Sequence, residues 1–111
     1  MNPRRNEIYM ASVEFADKPE SKSRPVVVIS SNHYNENHPD VIVCGMTTNS
    51  THDCSIMLTA TDFEDGDFYP GSVIRYDTIQ RIAKDKFQKR VGKMTNEFHN
   101  KLVEKIAELI K

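Results

Sequence analysis

The sequence has no long apolar run, no excess of either charge and little cysteine. No apolar stretch approaches the length that spans a bilayer, and the N-terminus carries no apolar signal core, so we expect a cytoplasmic protein without a membrane span. The formal net charge of −1 at pH 7 excludes a global field that would draw the chain to nucleic acid or to a membrane. Any nucleic-acid binding must therefore come from local clusters of Lys and Arg.

Cysteine and histidine are too few and too scattered to indicate a metal centre. The two cysteines, Cys44 and Cys54, cannot form a zinc framework, and the four histidines show no ligand spacing. A disulfide is possible, but the absence of a secretory signal favours free thiols. Cys44 lies in an apolar run and is more typical of a small core residue than of a nucleophile. We therefore predict neither a metal nor a cofactor.

The chain is predicted to form a single domain over residues 1–111, built mostly from short strands. No repeat or linker divides it, and its length suits one modest core. Apolar and β-branched runs predict the strands, and polar or acidic stretches predict loops at 16–23, 32–40 and 62–71. The predicted strands are 8–15, 25–30, 41–47, 55–60, 72–76, 78–82 (with a corner at Asp77) and 86–91.

The C-terminal segment changes to a helical period. Five apolar residues recur on one face, namely Phe98, Leu102, Ile106, Leu109 and Ile110. Thr95 can cap the N-terminus of this helix, whose amphipathic character indicates that it lies on a sheet. Many short strands followed by one helix predict an α+β, mostly β fold. Such strands usually close into a small barrel, because closure removes exposed edges.

Two predicted strands border small polar clusters that suit phosphate chemistry. Arg24 precedes the apolar run 25–30, and a cluster that begins with Thr47 follows the run 41–46. A guanidinium has planar paired donors that match phosphate oxygens, and a hydroxyl can donate to the same group. Metal-free RNA cleavage would use the neighbouring 2′-hydroxyl as nucleophile, with Arg24 offsetting the charge on the phosphate. Arg before Pro and Thr at a strand end are more often structural, however.

Other polar residues leave alternatives open. His33, His52 and Glu20 could each accept the 2′-hydroxyl proton, but none belongs to a motif. A basic run could follow a phosphate backbone or form a solvated strand face, and it contains Lys84, Lys86, Lys89, Arg90 and Lys93.

Several short motifs, in order and with approximate spacing, resemble the MazF/PemK/Kid family of toxin ribonucleases. The matching pieces are Glu7-Ile8-Tyr9, Ser23-Arg24-Pro25-Val26-Val27-Val28-Ile29-Ser30, Val41-Ile42-Val43 with Met46-Thr47, Ser72-Val73-Ile74-Arg75 with Ile79 and Arg81-Ile82, and Val91-Gly92-Lys93-Met94.

This resemblance implies a small SH3-like closed barrel of the CcdB/MazF type with a C-terminal helix. It implies a homodimer, metal-independent cleavage of single-stranded RNA, and a cognate antitoxin whose disordered tail lies along the RNA groove. Operator DNA would be bound only through the antitoxin. The family's catalytic arginine and threonine match Arg24 and Thr47. We expect further RNA contacts from Lys22, Thr48, Asn49 and Arg75.

The sequence also departs from the family pattern. Asn6 replaces a usual glycine, and Thr78 stands where many members have a glutamine that can read a base. The acidic segment 62–70 would repel RNA if it lay near the groove. Two alternatives follow: a non-catalytic CcdB-like toxin that binds gyrase through its C-terminal helix, or an inactive homologue that represses its own operon. The pair Arg24 and Thr47 favours the ribonuclease, because a gyrase-binding toxin needs neither.

Overall fold

The computed structural model describes residues 2–14, 21–48, 53–66 and 69–111. The strands are β1 (Glu7–Glu14), β2 (Ser21–Val28), β3 (Asp40–Thr47), β4 (Ser55–Met57), β5 (Phe63–Gly66), β6 (Val73–Ala83) and β7 (Phe87–Met94), and the helices are α1 (Asn32–Asn37) and α2 (Asn96–Ile110). Short 3₁₀ turns at Ala60–Asp62 and Lys84–Lys86 precede β5 and β7. None of the helices in these ranges is long and apolar enough to cross a membrane.

The strands form one antiparallel sheet in the order β4-β6-β3-β2-β1-β7-β5. The predicted mostly β fold with a C-terminal helix is therefore confirmed. The expected closure into a barrel is not seen: in the described ranges no pairing joins the end strands β4 and β5, so the sheet is open. These edge strands have only three and four residues, which leaves little unpaired edge to protect.

The central strands bury apolar side chains on both faces of the sheet. Ile8 and Val27, which are paired across β1 and β2, belong to the cluster beneath α2. Their neighbours Tyr9 and Val26, also paired, belong to a second cluster. This separation follows the two-residue period of a strand. It also explains why the 25–30 segment is continuously apolar rather than alternating.

Helix α2 packs on the sheet through its first three turns, as predicted. The Thr95 hydroxyl accepts a hydrogen bond from the Phe98 backbone N–H at 3.1 Å. Phe98 and Leu102 are 2% and 1% exposed, and both belong to the cluster on this face. The last two apolar residues, Leu109 and Ile110, are exposed, because the helix extends beyond the sheet-facing cluster.

The segment 32–40, predicted as a loop, contains helix α1. The Ser31 hydroxyl caps it by accepting a hydrogen bond from the Tyr34 N–H at 3.1 Å. The buried residue of α1 is Asn35, whose side-chain amide donates to the Ser30 carbonyl at 3.1 Å. Because the helix buries a polar residue, no apolar period indicated it in the sequence.

The acidic segment 62–71, also predicted as a loop, contains strand β5. β5 pairs with β7, and Gly66 lies opposite Gly92. A Cβ on Gly66, whose φ is +97°, would lie 2.4 Å from the Gly92 Cα, so the two backbones touch. The acidic side chains of Glu64 and Asp65 form ion pairs with the cations of β7, at 3.8 Å to Lys93 and 2.9 Å to Arg90. Much of the acidic charge in this segment is thus compensated locally.

The predicted corner at Asp77 falls on an irregularity within β6. Arg75 pairs with Gly45 of β3 and Ile79 pairs with the adjacent Cys44. Residues 76–78 therefore have no partner in the β3 register. The two strands predicted here are one strand with a bulge.

A network around Glu7 links three strands. Its carboxylate accepts hydrogen bonds from the Arg4 N–H (2.7 Å), the Tyr9 hydroxyl (3.0 Å) and the Arg90 guanidinium (2.6 Å). Arg90 also donates to both oxygens of Asp65, which keeps the pKa of Asp65 below its usual value. Burial and the adjacent Glu7 raise the pKa of Tyr9 to about 12. One guanidinium therefore connects β1, β7 and β5.

We expect Glu7→Gln to lower the free energy of unfolding by about 1 to 2 kcal/mol, because the Glu7 side chain is only 13% exposed and loses its charged hydrogen bonds. Chemical denaturation followed by circular dichroism measures this difference. Glu104→Gln, on the exposed surface of α2, is the matched control and should change little. Equal effects of the two variants would contradict the structural role of the network.

Within the described residues neither Cys44 nor Cys54 forms a disulfide, as the sequence favoured. Cys44 is fully buried, and burial raises the pKa of its thiol to about 12, whereas Cys54 is partly exposed.

Because the thiolate is the reactive form, a thiol reagent should label Cys54 in the native protein and Cys44 only in denaturant. Mass spectrometry of the labelled protein measures this, and Cys54→Ser should abolish the native labelling. Labelling of Cys44 without denaturant would show that this core opens.

Candidate functional site

A groove of about 440 Å³ is lined by residues of β1, β2, β3, β5 and β7 and of the turn before β6. Its lining falls into three chemical groups. The polar group is Arg24, Lys89, Thr47, Thr48 and Ser72; the aliphatic and thioether group is Ile8, Met10, Pro25, Met46 and Val91; and the aromatic group is Phe63 and Tyr69.

Strand register brings the two catalytic candidates to the same end of the sheet. The last pair between β2 and β3 is Val26 with Gly45. If this antiparallel register continues by two residues, Arg24 lies opposite Thr47. Both residues belong to the groove lining, so the structure brings together two residues that are distant in sequence. Thr48 follows in the same lining.

A second cation enters the groove from the other side of β1. Met10 of β1 pairs with Pro25 of β2 on one side and with Lys89 of β7 on the other. Arg24 on β2 and Lys89 on β7 therefore lie on either side of β1. Their backbones are separated by two strand spacings, or about 10 Å.

The cations of the groove differ from several arginines elsewhere in whether a carboxylate pairs with them. Several arginines elsewhere are paired with carboxylates: Arg75 with Asp77, Arg81 with Asp40, Arg90 with Glu7 and Asp65, and Arg4 with Glu36. Within the described ranges, Arg24 and Lys89 form no salt bridge, and the groove lining contains no carboxylate. This part of the chain also holds no group of three His, Cys, Asp or Glu side chains arranged for a metal ion. The lining suits an anion that also carries apolar surface.

The other predicted contact residues lie in different places. Lys22 is exposed on β2 and is not part of the lining, and Asn49 lies outside the described residues. Arg75 is outside the lining as well. Its guanidinium donates to both oxygens of Asp77 at 3.0 Å, and this pairing raises its pKa.

The three candidate proton acceptors are not in the described lining. His33 is exposed on α1, where its backbone carbonyl accepts a hydrogen bond from the Asn37 amide at 2.8 Å. Glu20 and His52 lie outside the described residues. The lining that is described therefore supplies charge and hydroxyl donors but no carboxylate or imidazole.

Sequence reasoning did not single out three of the lining residues. Lys89 was one member of a basic run, and only the pairing of β7 with β1 distinguishes it from its neighbours. Phe63 and Tyr69 lay in a segment predicted to be an acidic loop. The signal for Tyr69 was the Pro70-Gly71 step after it, which favours a turn that holds the preceding residue in place.

Comparison with known proteins gives a family match over nearly the whole chain. The family model described as "PemK-like, MazF-like toxin of type II toxin-antitoxin system" matches residues 4–110. The comparison with curated proteins found no significant match.

Solved structures share the fold at low sequence identity. An endoribonuclease from a mycobacterial species is similar with a TM-score of 0.76 and 21% identity, covering 99% of this chain and 92% of that chain. A mycobacterial endoribonuclease in complex with its cognate antitoxin gives 0.75 and 21%, covering 97% and 94%. MazF from Deinococcus radiodurans gives 0.76 and 15%, covering 99% and 97%. The fold, the order of the motifs and the match over residues 4–110 agree, and the chain belongs to the PemK-like, MazF-like toxins of type II toxin–antitoxin systems.

Proposed function

We propose that this protein is an endoribonuclease toxin that cleaves single-stranded RNA, with mRNA as its target, without a metal ion. The observation that carries the proposal is the presence of Arg24 and Thr47 in one groove that has cationic side chains and no carboxylate in its described lining. Family membership supports the assignment. The gyrase-binding alternative gives no reason for an arginine and a strand-end hydroxyl to share a groove.

The proposed reaction begins with attack of a ribose 2′-oxygen on the adjacent phosphorus. The new P–O2′ bond forms as the P–O5′ bond breaks, which gives a 2′,3′-cyclic phosphate and a free 5′-hydroxyl. A base takes the 2′-hydroxyl proton, and an acid supplies a proton to the leaving 5′-oxygen. A guanidinium is a donor that cannot serve as a general base, so the main role of Arg24 is to stabilise charge on the non-bridging oxygens. Thr47 donates its hydroxyl hydrogen to the same phosphate.

The surrounding contacts and partners follow from the same proposal. Thr48 and Lys89 contact RNA within the groove, and Lys22, Asn49 and Arg75 make further contacts with it. Two copies of the chain form a homodimer in the cytoplasm. A cognate antitoxin inhibits the toxin by laying a disordered tail in the groove, and operator DNA is reached only through that antitoxin.

Removing either catalytic group should lower the cleavage rate. We expect Arg24→Ala and Thr47→Val each to reduce the rate by about 100-fold to 1000-fold, because each removes one donor to the transition-state phosphate. Cleavage of a single-stranded RNA pool is measured in EDTA with end-labelled substrate. Arg81→Ala, which removes an exposed arginine outside the groove lining, is the matched control and should retain the wild-type rate.

Undiminished cleavage by Arg24→Ala would eliminate the proposed role of this residue. Loss of wild-type cleavage in EDTA, with recovery on adding a divalent cation, would show that the reaction needs a metal. Intact RNA in every sample, together with normal growth on expression, would instead favour an inactive homologue.

Lys89 should contribute to RNA binding without taking part in the chemistry. We expect Lys89→Ala to weaken binding of a 2′-O-methyl RNA, which lacks the nucleophile, and to reduce the slope of log Kd against log salt by roughly 0.7 to 1. Fluorescence anisotropy at several salt concentrations measures both quantities. Lys86→Ala, a neighbouring exposed lysine outside the lining, is the control. An equal change in both variants would mean that the lysines act only as diffuse surface charge.

A further inference from the structure

The groove lining contains an exposed tyrosine that the proposed chemistry does not use. The side chain of Tyr69 is 66% exposed although it lines the groove, and Phe63, also in the lining, is partly buried against the cluster beneath α2. Isolated exposed aromatics are common on protein surfaces, so exposure alone indicates nothing. Two further observations give Tyr69 significance.

The first observation is that a tight turn fixes the Tyr69 backbone. Its carbonyl accepts hydrogen bonds from the Ser72 N–H at 3.1 Å and from the Ser72 hydroxyl at 2.6 Å. Pro70 occupies the second position of this turn, and Gly71 the third with a φ of +88°. This is the arrangement of a type II turn, in which proline and glycine suit the required angles. The backbone of Tyr69 is thus held at the groove before any ligand arrives, which lowers the backbone entropy lost on binding.

The second observation is the charge of the rest of the lining. Arg24 and Lys89 are cations in the same groove as Tyr69, and no described lining residue is acidic. A ligand that contacts both these cations and Tyr69 must combine an anionic group with a flat apolar one. A nucleotide has this combination in every unit of an RNA strand, because each phosphate is followed by a base with a π-face.

We propose that Tyr69 is a stacking platform for a nucleobase of the bound RNA strand, next to the phosphate held by Arg24. This assignment rests on the proposed function, since it takes single-stranded RNA as the ligand. Stacking on Tyr69 adds affinity that is tolerant of base identity, while Arg24 and Lys89 hold the backbone. The type II turn fixes the backbone that carries the Tyr69 ring, and Phe63 supplies further apolar surface in the same groove.

The chain contains no tryptophan, so a single Tyr69→Trp substitution provides a specific fluorescent reporter. The variant is titrated with a 2′-O-methyl RNA of mixed sequence, which binds without being cleaved. We expect this RNA to quench the emission of the introduced indole. An abasic strand of equal length and charge should bind through its phosphates without quenching. Met57→Trp is the matched control, because Met57 is 64% exposed on β4 but is not part of the lining, and the emission of that variant should not change.

Substitutions at Tyr69 measure the contribution to affinity. Tyr69→Ala should weaken binding of the 2′-O-methyl RNA by about 5-fold to 150-fold, and Tyr69→Phe should stay within roughly twofold of wild type, because it keeps the ring. Thermal unfolding verifies that both variants are folded. A loss of affinity in both variants would overturn stacking and indicate a role for the hydroxyl.

The outcomes separate this inference from the proposed function. The stacking role of Tyr69 is wrong if Tyr69→Ala binds RNA as tightly as wild type, or if the abasic strand quenches the Tyr69→Trp reporter equally. This conclusion does not depend on the cleavage rate of Arg24→Ala. If Arg24→Ala cleaves normally while the reporter is quenched only by strands with bases, base stacking on Tyr69 is supported and the catalytic role of Arg24 is eliminated. If the reporter is quenched by an acidic peptide with an aromatic residue but not by RNA, the groove recognises protein and the assignment is overturned.

Discussion

The arrangement of the site depends on the antiparallel register between β2 and β3. This register pairs Val26 with Gly45 as its last pair, and a continuation by two residues would set Arg24 across from Thr47. The register is held by apolar residues on both faces of β2, so a slip by one residue would exchange the contents of the two clusters. The free energy that fixes the position of the two polar residues therefore comes from the core beside them.

A second constraint is the distribution of partners among the charged residues. Several arginines are held by carboxylates, and Arg90 has the most extensive pairing because it bridges Glu7 and Asp65. These pairs remove much of the acidic charge of β5 from the field around the groove. The two lining cations, Arg24 and Lys89, form no salt bridge within the described ranges and can offset the charge of an anionic ligand. A chain with a net charge of −1 can in this way present a locally cationic groove.

Sequence reasoning predicted most of the strands, the C-terminal helix and the family because these depend on local periods and short motifs. The helical spacing of Phe98 and Leu102 was sufficient for α2. Helix α1 could not be predicted, because its buried residue is Asn35 and the stabilising hydrogen bonds to Ser30 are visible only after folding. Strand β5 was missed because it is an edge strand of four residues whose partner is distant in the chain.

The candidate site was predicted only in part for a similar reason. Arg24 and Thr47 could be named from motifs, but Lys89 required knowledge that β7 pairs with β1 beside Met10.

Arg75 shows the limit of a motif that is read without its surroundings. It was predicted from its motif alone, and the two hydrogen bonds that tie it to Asp77 depend on the local shape of β6. Whether Lys22, Asn49 and Arg75 touch a ligand stays a prediction.

The contact between Gly66 and Gly92 has a consequence for the dimensions of the groove. Because a Cβ at either position would lie within 3 Å of main-chain atoms of the facing strand, β5 and β7 can approach this closely only with glycine at both positions. Phe63 on β5 and Val91 on β7 both belong to the groove lining near this contact. A methyl group at either glycine would force β5 and β7 apart at this contact. The pair of glycines thus sets how close Phe63 of β5 and Val91 of β7 can lie to each other in the lining.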